Sequence, residues 1–415
     1  MNKPTLLFRG PVETRSGYGS HSRDILESLR AMDMFEIIID SCNWGVTPMN
    51  ALEDGNEFHQ WIKEHKVTSL NGQPDIYVSV TISNEFRRVG KLNIGITAGV
   101  ETTVVGKDLV DGCNEVDLII VPSTFTRDSY YNTVYNETDK LTNRLINQFR
   151  VNKPIEVLFE GVNTNIYNDV VDESFDLDIK EDFAFLFVGH WLKGDLGQDR
   201  KDVGMLIKTF VETYKNVENK PALVLKTSSG AFSVKDRELI AQKIKYIVGD
   251  SNVPVYLLYG DLSDSEMNSL YNHPKIKTMI SLTKGEGFGR PLLEFSMTGK
   301  PIIASNWSGH KDFLPMDKAI MIGGSLNDVH DSAVDKFILK ESKWFTANYD
   351  EVSSIMKLVV AEYDGFKIKS EELKEINKQE FSMDMMTQKL ESILSPYTQR
   401  PERVDLKLPK LNKIG

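Results

Sequence analysis

The sequence is poor in cysteine, has no apolar run approaching the length of a membrane-spanning helix, and carries no excess of positive charge. With only Cys42 and Cys113 among 415 residues, no framework of disulfide bonds is implied, and a reducing cytoplasm is the expected location. The formal net charge of −11 argues against a surface that attracts nucleic acid or anionic lipid everywhere, although it leaves room for local basic patches. Because the N-terminus also lacks a signal-peptide pattern, we expect no membrane insertion.

The length and the patterning predict an α/β protein with more than one domain. A chain of 415 residues that is 40% hydrophobic can supply a core to each of about two or three domains. Short apolar, β-prone runs alternate with helical stretches in the first half of the chain, which predicts a parallel, doubly wound sheet. These predicted strands are Thr5–Arg9, Glu36–Asp40, Ile76–Val80, Leu92–Thr97 and Leu118–Val121.

The segment from Lys277 to Ser305 is the most informative part of the sequence. An apolar run, Thr278–Leu282, is followed by three glycines within five residues. Pro291 then suits the first turn of a helix, and Gly299 suits its end. Another apolar run begins at Pro301. The segment therefore predicts a strand, a glycine loop, a short helix and a second strand.

This unit is suited to binding a nucleotide sugar. Free N–H groups at a helix start attract a diphosphate, and Gly287 and Gly289 would let its oxygens approach the backbone. Glu294, in the first turn, can accept hydrogen bonds from the two hydroxyls of a ribose. Glu286, in the loop, would face the group beyond the phosphates. Two carboxylates around a phosphate site indicate a nucleotide that carries a polyhydroxylated group.

The stretch GEGFGRPLLEFSMTGKPIIAS closely resembles the E-x7-E signature of retaining glycosyltransferases of family 4. The resemblance implies the GT-B fold, in which two Rossmann-like, doubly wound parallel-sheet domains face each other across a cleft. It implies an acceptor-side domain over residues 1–165 and a nucleotide-sugar domain over 166–380. A helix over 381–395 would pack back on the first domain, followed by a basic tail over 396–415. Within the signature, Phe288 and Arg290 join the glycines as donor-binding candidates.

A second match to the family lies at GHWLKGDLGQDRKDV. Family members usually place an arginine after the glycine and a lysine shortly before the next helix, and both neutralise the donor diphosphate. Here His190 stands where the arginine is expected, so that this role is open. Lys201 takes the lysine position, and Arg200 beside it would supply a second charge. Lys226, at the end of the predicted strand 222–225, is a further candidate for phosphate contact.

Other donor-side candidates follow from the same resemblance. Gly17 and Gly19 lie between the first strand and the first helix, in a loop that borders the cleft in the family and helps hold the donor phosphates or the acceptor. Gly260 and Leu262 follow the predicted strand Val255–Tyr259, which flanks the nucleotide base in the family.

Two acidic features have both a functional and an ordinary interpretation. Glu101 stands where many family members have a histidine that faces the donor sugar, so it would bind the sugar or orient the acceptor hydroxyl. Alternatively it is an acid favoured at the start of a helix by the dipole. The triplet Asp176-Leu-Asp178 resembles the metal-binding mark of a different glycosyltransferase fold, but it lies in a charged linker. We therefore predict no metal site.

The acceptor is the least defined part of the prediction. The opening RGPVETRSGYGSHSRD resembles glycosyltransferases of tailed phages, some of which modify hydroxymethylated pyrimidines in DNA. Arg87, Arg88, Lys140 and Arg144, with the 396–415 tail, would then contact DNA phosphates. Glycan, lipid-linked and small-molecule acceptors remain alternatives.

The predicted reaction is sugar transfer from a nucleoside diphosphate sugar, UDP-linked, to a hydroxyl group, with retention at the anomeric carbon. The catalytic candidates are Glu286, Lys201, Arg200 and Glu101, and no cofactor besides the nucleotide sugar is expected. Two alternatives stay open, namely a nucleotide-sugar epimerase and a non-catalytic nucleotide-sugar-binding protein.

Overall fold

The computed structural model describes residues 3–70, 72–230 and 233–398, which form two sheets with their surrounding helices. The strands of the first half are β1 (Thr5–Gly10), β2 (Glu36–Ser41), β3 (Ile76–Val80), β4 (Leu92–Ile96), β5 (Leu118–Val121), β6 (Tyr135–Thr138), β7 (Leu145–Phe149) and β8 (Ile155–Val157). Its helices are α1 (Gly17–Met32), α2 (Glu57–His65), α3 (Lys107–Cys113) and α4 (Thr124–Asn132).

Six of these strands form a parallel sheet in the order β2-β1-β3-β4-β5-β8, while β6 and β7 pair with each other as an antiparallel hairpin. Successive residues of β5 point to opposite faces. Leu118 and Ile120 belong to one apolar core, and Ile119 and Val121 to another. A sheet buried on both faces needs such uninterrupted apolar strands.

The second half repeats this plan. Its strands are β9 (Ala184–Val188), β10 (Ala222–Lys226), β11 (Val255–Leu258), β12 (Ile276–Ser281), β13 (Ile302–Ser305), β14 (Ile320–Ile322), β15 (Gly324–Asp328) and β16 (Lys343–Ala347). Its helices are α5 (Val203–Tyr214), α6 (Val234–Val248), α7 (Asp264–Asn272), α8 (Arg290–Ser296), α9 (Tyr349–Ala361), α10 (Tyr363–Glu380) and α11 (Met383–Thr398). The parallel sheet has the order β11-β10-β9-β12-β13-β14, and β15 pairs with β16.

The chain crosses between the two halves twice, and the crossings lie side by side. Val162 N donates to Phe381 O at 2.8 Å, and Met383 N donates to Val162 O at 3.0 Å. A Cβ on Gly161 would lie only 2.9 Å from Met383 Cα, so the contact requires glycine there. Helix α11 then packs on α1, where Thr387 Oγ1 donates to Ser28 Oγ at 2.9 Å.

This topology places the functional loops together. The carboxyl ends of parallel strands meet at one edge of a sheet, and ligands of such sheets bind outside that edge. The loops after β1, β4, β9, β10 and β12 all reach the groove between the halves. Among the described residues, no helix has the length and apolar character needed to cross a membrane.

Candidate functional site

A cleft of about 460 Å³ lies between the two sheets and is lined by both halves of the chain. Most of the sequence-predicted site residues lie on its wall. They are Gly17, Glu101, His190, Arg200, Lys201, Lys226, Glu286, Gly287, Phe288, Gly289 and Arg290. Gly19, Gly260, Leu262 and Glu294 do not belong to this lining.

The glycine loop between β12 and α8 lies directly against the first domain. A Cβ on Gly285 would lie 2.2 Å from Glu101 O, and one on Gly287 would lie 2.8 Å from Ala98 O. Ser123 Oγ also donates to Gly287 O at 2.5 Å. The absence of side chains here therefore lets the backbones of the two halves meet, while the phosphate approach expected from the sequence stays a prediction.

The loop ahead of α5 brings two cations to the carboxylates. Lys201 Nζ donates to Glu286 Oε1, and Arg200 Nη1 lies 3.1 Å from Glu101 Oε1 and 3.5 Å from Glu286 Oε2. Burial alone would raise the pKa of Glu286, but Lys201 and Arg200 together lower it to about 2. Glu286 is therefore ionised, and all four catalytic candidates form one connected ion cluster that spans the cleft.

A fully buried ion pair holds these two loops in register. Lys284 Nζ lies 3.5 Å from Asp202 Oδ2, and their side chains are 1% and 0% exposed. Tyr349 OH donates to the same oxygen at 2.6 Å, and Lys284 N donates to Arg200 O at 2.7 Å. Because Lys284 adjoins the glycine loop and Asp202 adjoins Lys201, the pair sets the distance between the cations and Glu286.

A second ion cluster contains Arg290. Its guanidinium donates to Asp24 of α1, and its Nε donates to Glu294 Oε1 at 2.8 Å. Tyr271 OH donates to Glu294 Oε2 at 3.3 Å. Burial raises the pKa of Glu294 to about 7, against the opposing effect of Arg290. Glu294 is not part of the cleft lining but is bound to Arg290, which is, and its predicted role at the ribose stays a prediction.

The candidates around β9 and β10 divide between the cleft and its support. His190 Nδ1 lies 3.1 Å from Ser228 Oγ, and burial lowers the pKa of His190. Lys226 Nζ lines the cleft and donates to Gly260 O at 2.6 Å. Gly260 is therefore tied to the site through its carbonyl, whereas Leu262 packs against the apolar core.

The loop between β1 and α1 shows why Gly19 differs from Gly17. Gly17 lines the cleft, and a Cβ there would meet nothing within 4 Å. Gly19 lies inside α1, where a Cβ would be 2.1 Å from Thr14 O. Its N–H donates to Ser16 Oγ at 3.0 Å, which caps the helix. Gly19 therefore serves the packing of this loop.

Sequence reasoning missed five residues of the first-domain wall: Tyr18, His21, Trp44, Ala98 and Glu160. Tyr18 and His21 stand in the stretch already noted for its glycines, and Glu160 immediately precedes the crossing glycine. Their side-chain types alone carried no signal, because each is as common in an ordinary core or surface.

The candidate DNA contacts have different environments. Arg88 Nη2 pairs with Asp117 Oδ1 at 2.8 Å, and Arg87 Nη1 donates to the carbonyls of Asn84 and Phe86. Lys140 and Arg144 are exposed in the β6–β7 hairpin. Residues 399–415 of the predicted basic tail lie outside the described residues.

The acidic linker has the exposure of a solvated segment, since Asp176 and Asp178 are both exposed. Within the described ranges, no group of three or more His, Cys, Asp or Glu side chains is arranged to hold a metal ion.

Two Rossmann-like domains that face each other across such a cleft constitute the GT-B fold, and this prediction is confirmed. The fold is shared with a glycosyltransferase from Rickettsia africae (TM-score 0.63, 12% identity, 97% of this chain and 100% of that chain covered). Sucrose-phosphate synthase from Thermosynechococcus elongatus also has a similar fold (TM-score 0.61, 12% identity, 95% of this chain and 99% of that chain covered). Anabaena HepE, solved in complex with UDP and glucose, is a third structure with this fold (TM-score 0.59, 12% identity, 95% of this chain and 100% of that chain covered). No protein-family model matches the sequence, and no curated protein does.

Proposed function

We propose that this protein is a retaining glycosyltransferase that moves a sugar from a nucleoside diphosphate sugar, UDP-linked, to a hydroxyl acceptor. The observation that carries the proposal is the cluster of Arg200, Lys201 and Glu286 on the cleft wall, joined to Glu101 of the opposite domain. The E-x7-E glycine loop is thereby placed beside two cations in a cleft between Rossmann-like domains, which is where a diphosphate and its sugar are both within reach.

The chemistry needs positive charge on the leaving diphosphate. The bond between the anomeric carbon and the phosphate oxygen breaks, the acceptor oxygen bonds to the same face of that carbon, and the acceptor proton passes to the departing phosphate oxygen. Developing charge on the phosphates is stabilised by pre-positioned cations. Because α8 has only seven residues, we assign this role to the side chains of Lys201 and Arg200 rather than to the helix dipole.

The assignment implies an exchange of ion-pair partners. Without a ligand, Lys201 and Arg200 are neutralised by Glu286 and Glu101. A bound diphosphate would compete for both cations, and Glu286 would then be free to accept hydrogen bonds from hydroxyls of the transferred sugar. Structures of HepE with UDP and with UDP-glucose support UDP as the first nucleotide to test.

A hydroxymethylated pyrimidine of DNA is the acceptor that the phage resemblance favours. The exposed Lys140 and Arg144 lie on one hairpin and are available to phosphates, whereas Arg88 is already paired with Asp117. A DNA acceptor predicts turnover with hydroxymethylated duplex but not with plain duplex, and steeply salt-dependent binding that Lys140→Ala and Arg144→Ala weaken. Absence of turnover on both duplexes, together with sugar transfer to a glycan, would rule out DNA as the acceptor.

The experiment for the reaction itself starts from a panel of nucleotide sugars tested for thermal stabilisation and for release of UDP. Lys201→Met should lower the rate of UDP release by about 100-fold, while Lys208→Met on the exposed face of α5 should leave it unchanged. NMR of the product should show the anomeric configuration of the donor. Formation of an altered nucleotide sugar without acceptor would indicate an epimerase, and binding without any turnover would indicate a non-catalytic protein.

A further inference from the structure

His21 is a buried polar side chain in the first-domain wall of the cleft that has no partner. It lies in the first turns of α1 and is 4% exposed. Neither ring nitrogen has a hydrogen-bond partner among the described residues, although the residue borders the cleft. Burial lowers the pKa of His21 to about 3, so the ring is neutral and offers one donor and one acceptor. A buried polar group left unpaired costs about 1–3 kcal/mol, which indicates that a ligand completes this site.

Glu160 is a second such group on the same wall. Its side chain is 9% exposed, and it makes no hydrogen bond or ion pair with the rest of the described structure. Burial, with repulsion from Asp24 and Glu294, raises the pKa of Glu160 to about 8, although Arg290 opposes the change. Arg290 cannot serve as its full partner, because its guanidinium is already bound by Asp24 and Glu294. At neutral pH Glu160 is therefore largely a neutral carboxylic acid that can donate and accept.

The apolar part of this wall is a fixed aromatic pair. Tyr18 and Trp44 are stacked, with ring centroids 4.1 Å apart and planes 26° apart. Tyr18 OH is held by Ala98 N at 2.9 Å and lies 3.1 Å from Thr97 Oγ1. Trp44 is only partly buried, so the pair offers apolar surface beside two polar groups that lack partners. Such a combination fixes the orientation of a small organic ligand.

The charges around these residues exclude a phosphate as the ligand. The guanidinium of Arg290 is already bound by Asp24 and Glu294, and Arg23 donates to the carbonyls of Val12 and Thr14, so neither cation is left to bind an anion. A sugar hydroxyl, in contrast, both donates and accepts and is uncharged. It can satisfy a neutral imidazole and a neutral carboxylic acid together, while the C–H face of the ring covers an aromatic side chain.

We propose that Tyr18, His21, Trp44 and Glu160 form a subsite that binds an uncharged pyranose ring through adjacent hydroxyls. This inference rests on the proposed function, because the subsite is one end of the cleft in which the sugar transfer is proposed to take place. The ring comes either from the donor, as the transferred sugar, or from a saccharide acceptor, and the two sources are separated by experiment.

The test uses the full-length protein and the variants Glu160→Gln, His21→Ala and Trp44→Ala. Glu156→Gln is the matched control, since Glu156 is exposed on β8 and lies only four residues from Glu160. Saturation-transfer NMR with neutral methyl pyranosides reports direct binding to the subsite, and calorimetry gives the affinities for UDP and UDP-glucose. Circular dichroism establishes that each variant is folded.

The expected result is that wild type and Glu156→Gln bind a pyranoside, while the three subsite variants bind it at least about tenfold more weakly. All of them should bind UDP alone with unchanged affinity. If the subsite holds the donor sugar, Glu160→Gln also loses the advantage of UDP-glucose over UDP. If it holds an acceptor sugar, affinity for UDP-glucose and its slow hydrolysis are unchanged, and only the KM for a saccharide acceptor rises.

Two results would overturn the subsite. One is pyranoside binding that all three variants retain, and the other is an equal loss of affinity for UDP alone, which would place the nucleotide there. Failure of the proposed function has a different signature, namely no binding or turnover of any nucleotide sugar by wild type. Pyranoside binding is measured without a donor, so it still decides on the subsite in that case.

Discussion

Removing Arg290 tests how much its buried ion pairs stabilise the junction of the two domains. Its guanidinium donates to Asp24 of the first domain and to Glu294 of its own helix, and Glu160 lies within its electrostatic influence. The variant Arg290→Leu removes the cation that Asp24 and Glu294 share and that lowers the pKa of Glu160. Removing one partner of a buried ion pair costs about 3–5 kcal/mol, because the remaining charge is uncompensated. We therefore expect the free energy of unfolding to fall by an amount of that size above about pH 8, where these carboxyl groups are ionised.

The loss should depend on pH with a definite sign. Burial already raises the pKa values of Glu294 and Glu160 from 4.5 to about 7 and about 8, and Arg290 is the largest opposing influence. A carboxyl group whose pKa is raised in the folded state contributes most below its unfolded pKa, and that contribution is lost as the pH rises through the folded pKa. Without Arg290 these pKa values rise further. The penalty should therefore be greatest above about pH 8 and smallest near pH 5.

Urea unfolding followed by circular dichroism at about pH 8.5 and about pH 5 measures this difference. The control is Arg88→Leu, because Arg88 pairs with Asp117 at the surface and its side chain is 51% exposed. The free energy of unfolding of that variant should fall by about 1 kcal/mol or less at either pH. An equal loss for Arg290→Leu at both pH values, or a loss no larger than that of the control, would refute the electrostatic argument.

Three further predictions concern the loop between β12 and α8 and the helix α8 itself. Glu286→Gln should lower turnover by about 100-fold with little change in the Kd for UDP, and a parallel loss of both would contradict a role in sugar positioning. Glu294→Ala should weaken UDP-glucose binding by about 1–3 kcal/mol in calorimetry, and unchanged affinity would remove it from the donor site. Gly285→Ala would place a Cβ 2.2 Å from Glu101 O, so small-angle scattering should give a larger radius of gyration. Gly365→Ala, with nothing within 4 Å of its Cβ, should leave it unchanged.

The fold was accessible from the sequence because its signals are local. Each buried strand reads as a short apolar run, and the E-x7-E unit places a strand, a loop and a helix within 29 residues of one another. The glycines of that unit were recognised, and the phosphate approach expected for Gly287 and Gly289 stays a prediction, but their packing against the first domain was not foreseen. Gly285 and Gly287 allow the loop Ala98–Glu101 to approach, and no pattern within the unit reveals that contact.

The sequence alone predicted the two Rossmann-like domains and the glycine loop, and it named Glu286, Lys201 and Arg200 as candidates for one site. Only the tertiary structure decided which groups meet across the cleft. Asp24 and Arg290 are 266 positions apart in the chain, and Arg200 meets Glu101 only when the domains face each other. His21 and Glu160 likewise became candidates for ligand binding only because the structure shows them buried without a partner. Periodicity and spacing describe neighbours along the chain, whereas charge balance and unsatisfied hydrogen bonds depend on neighbours in space.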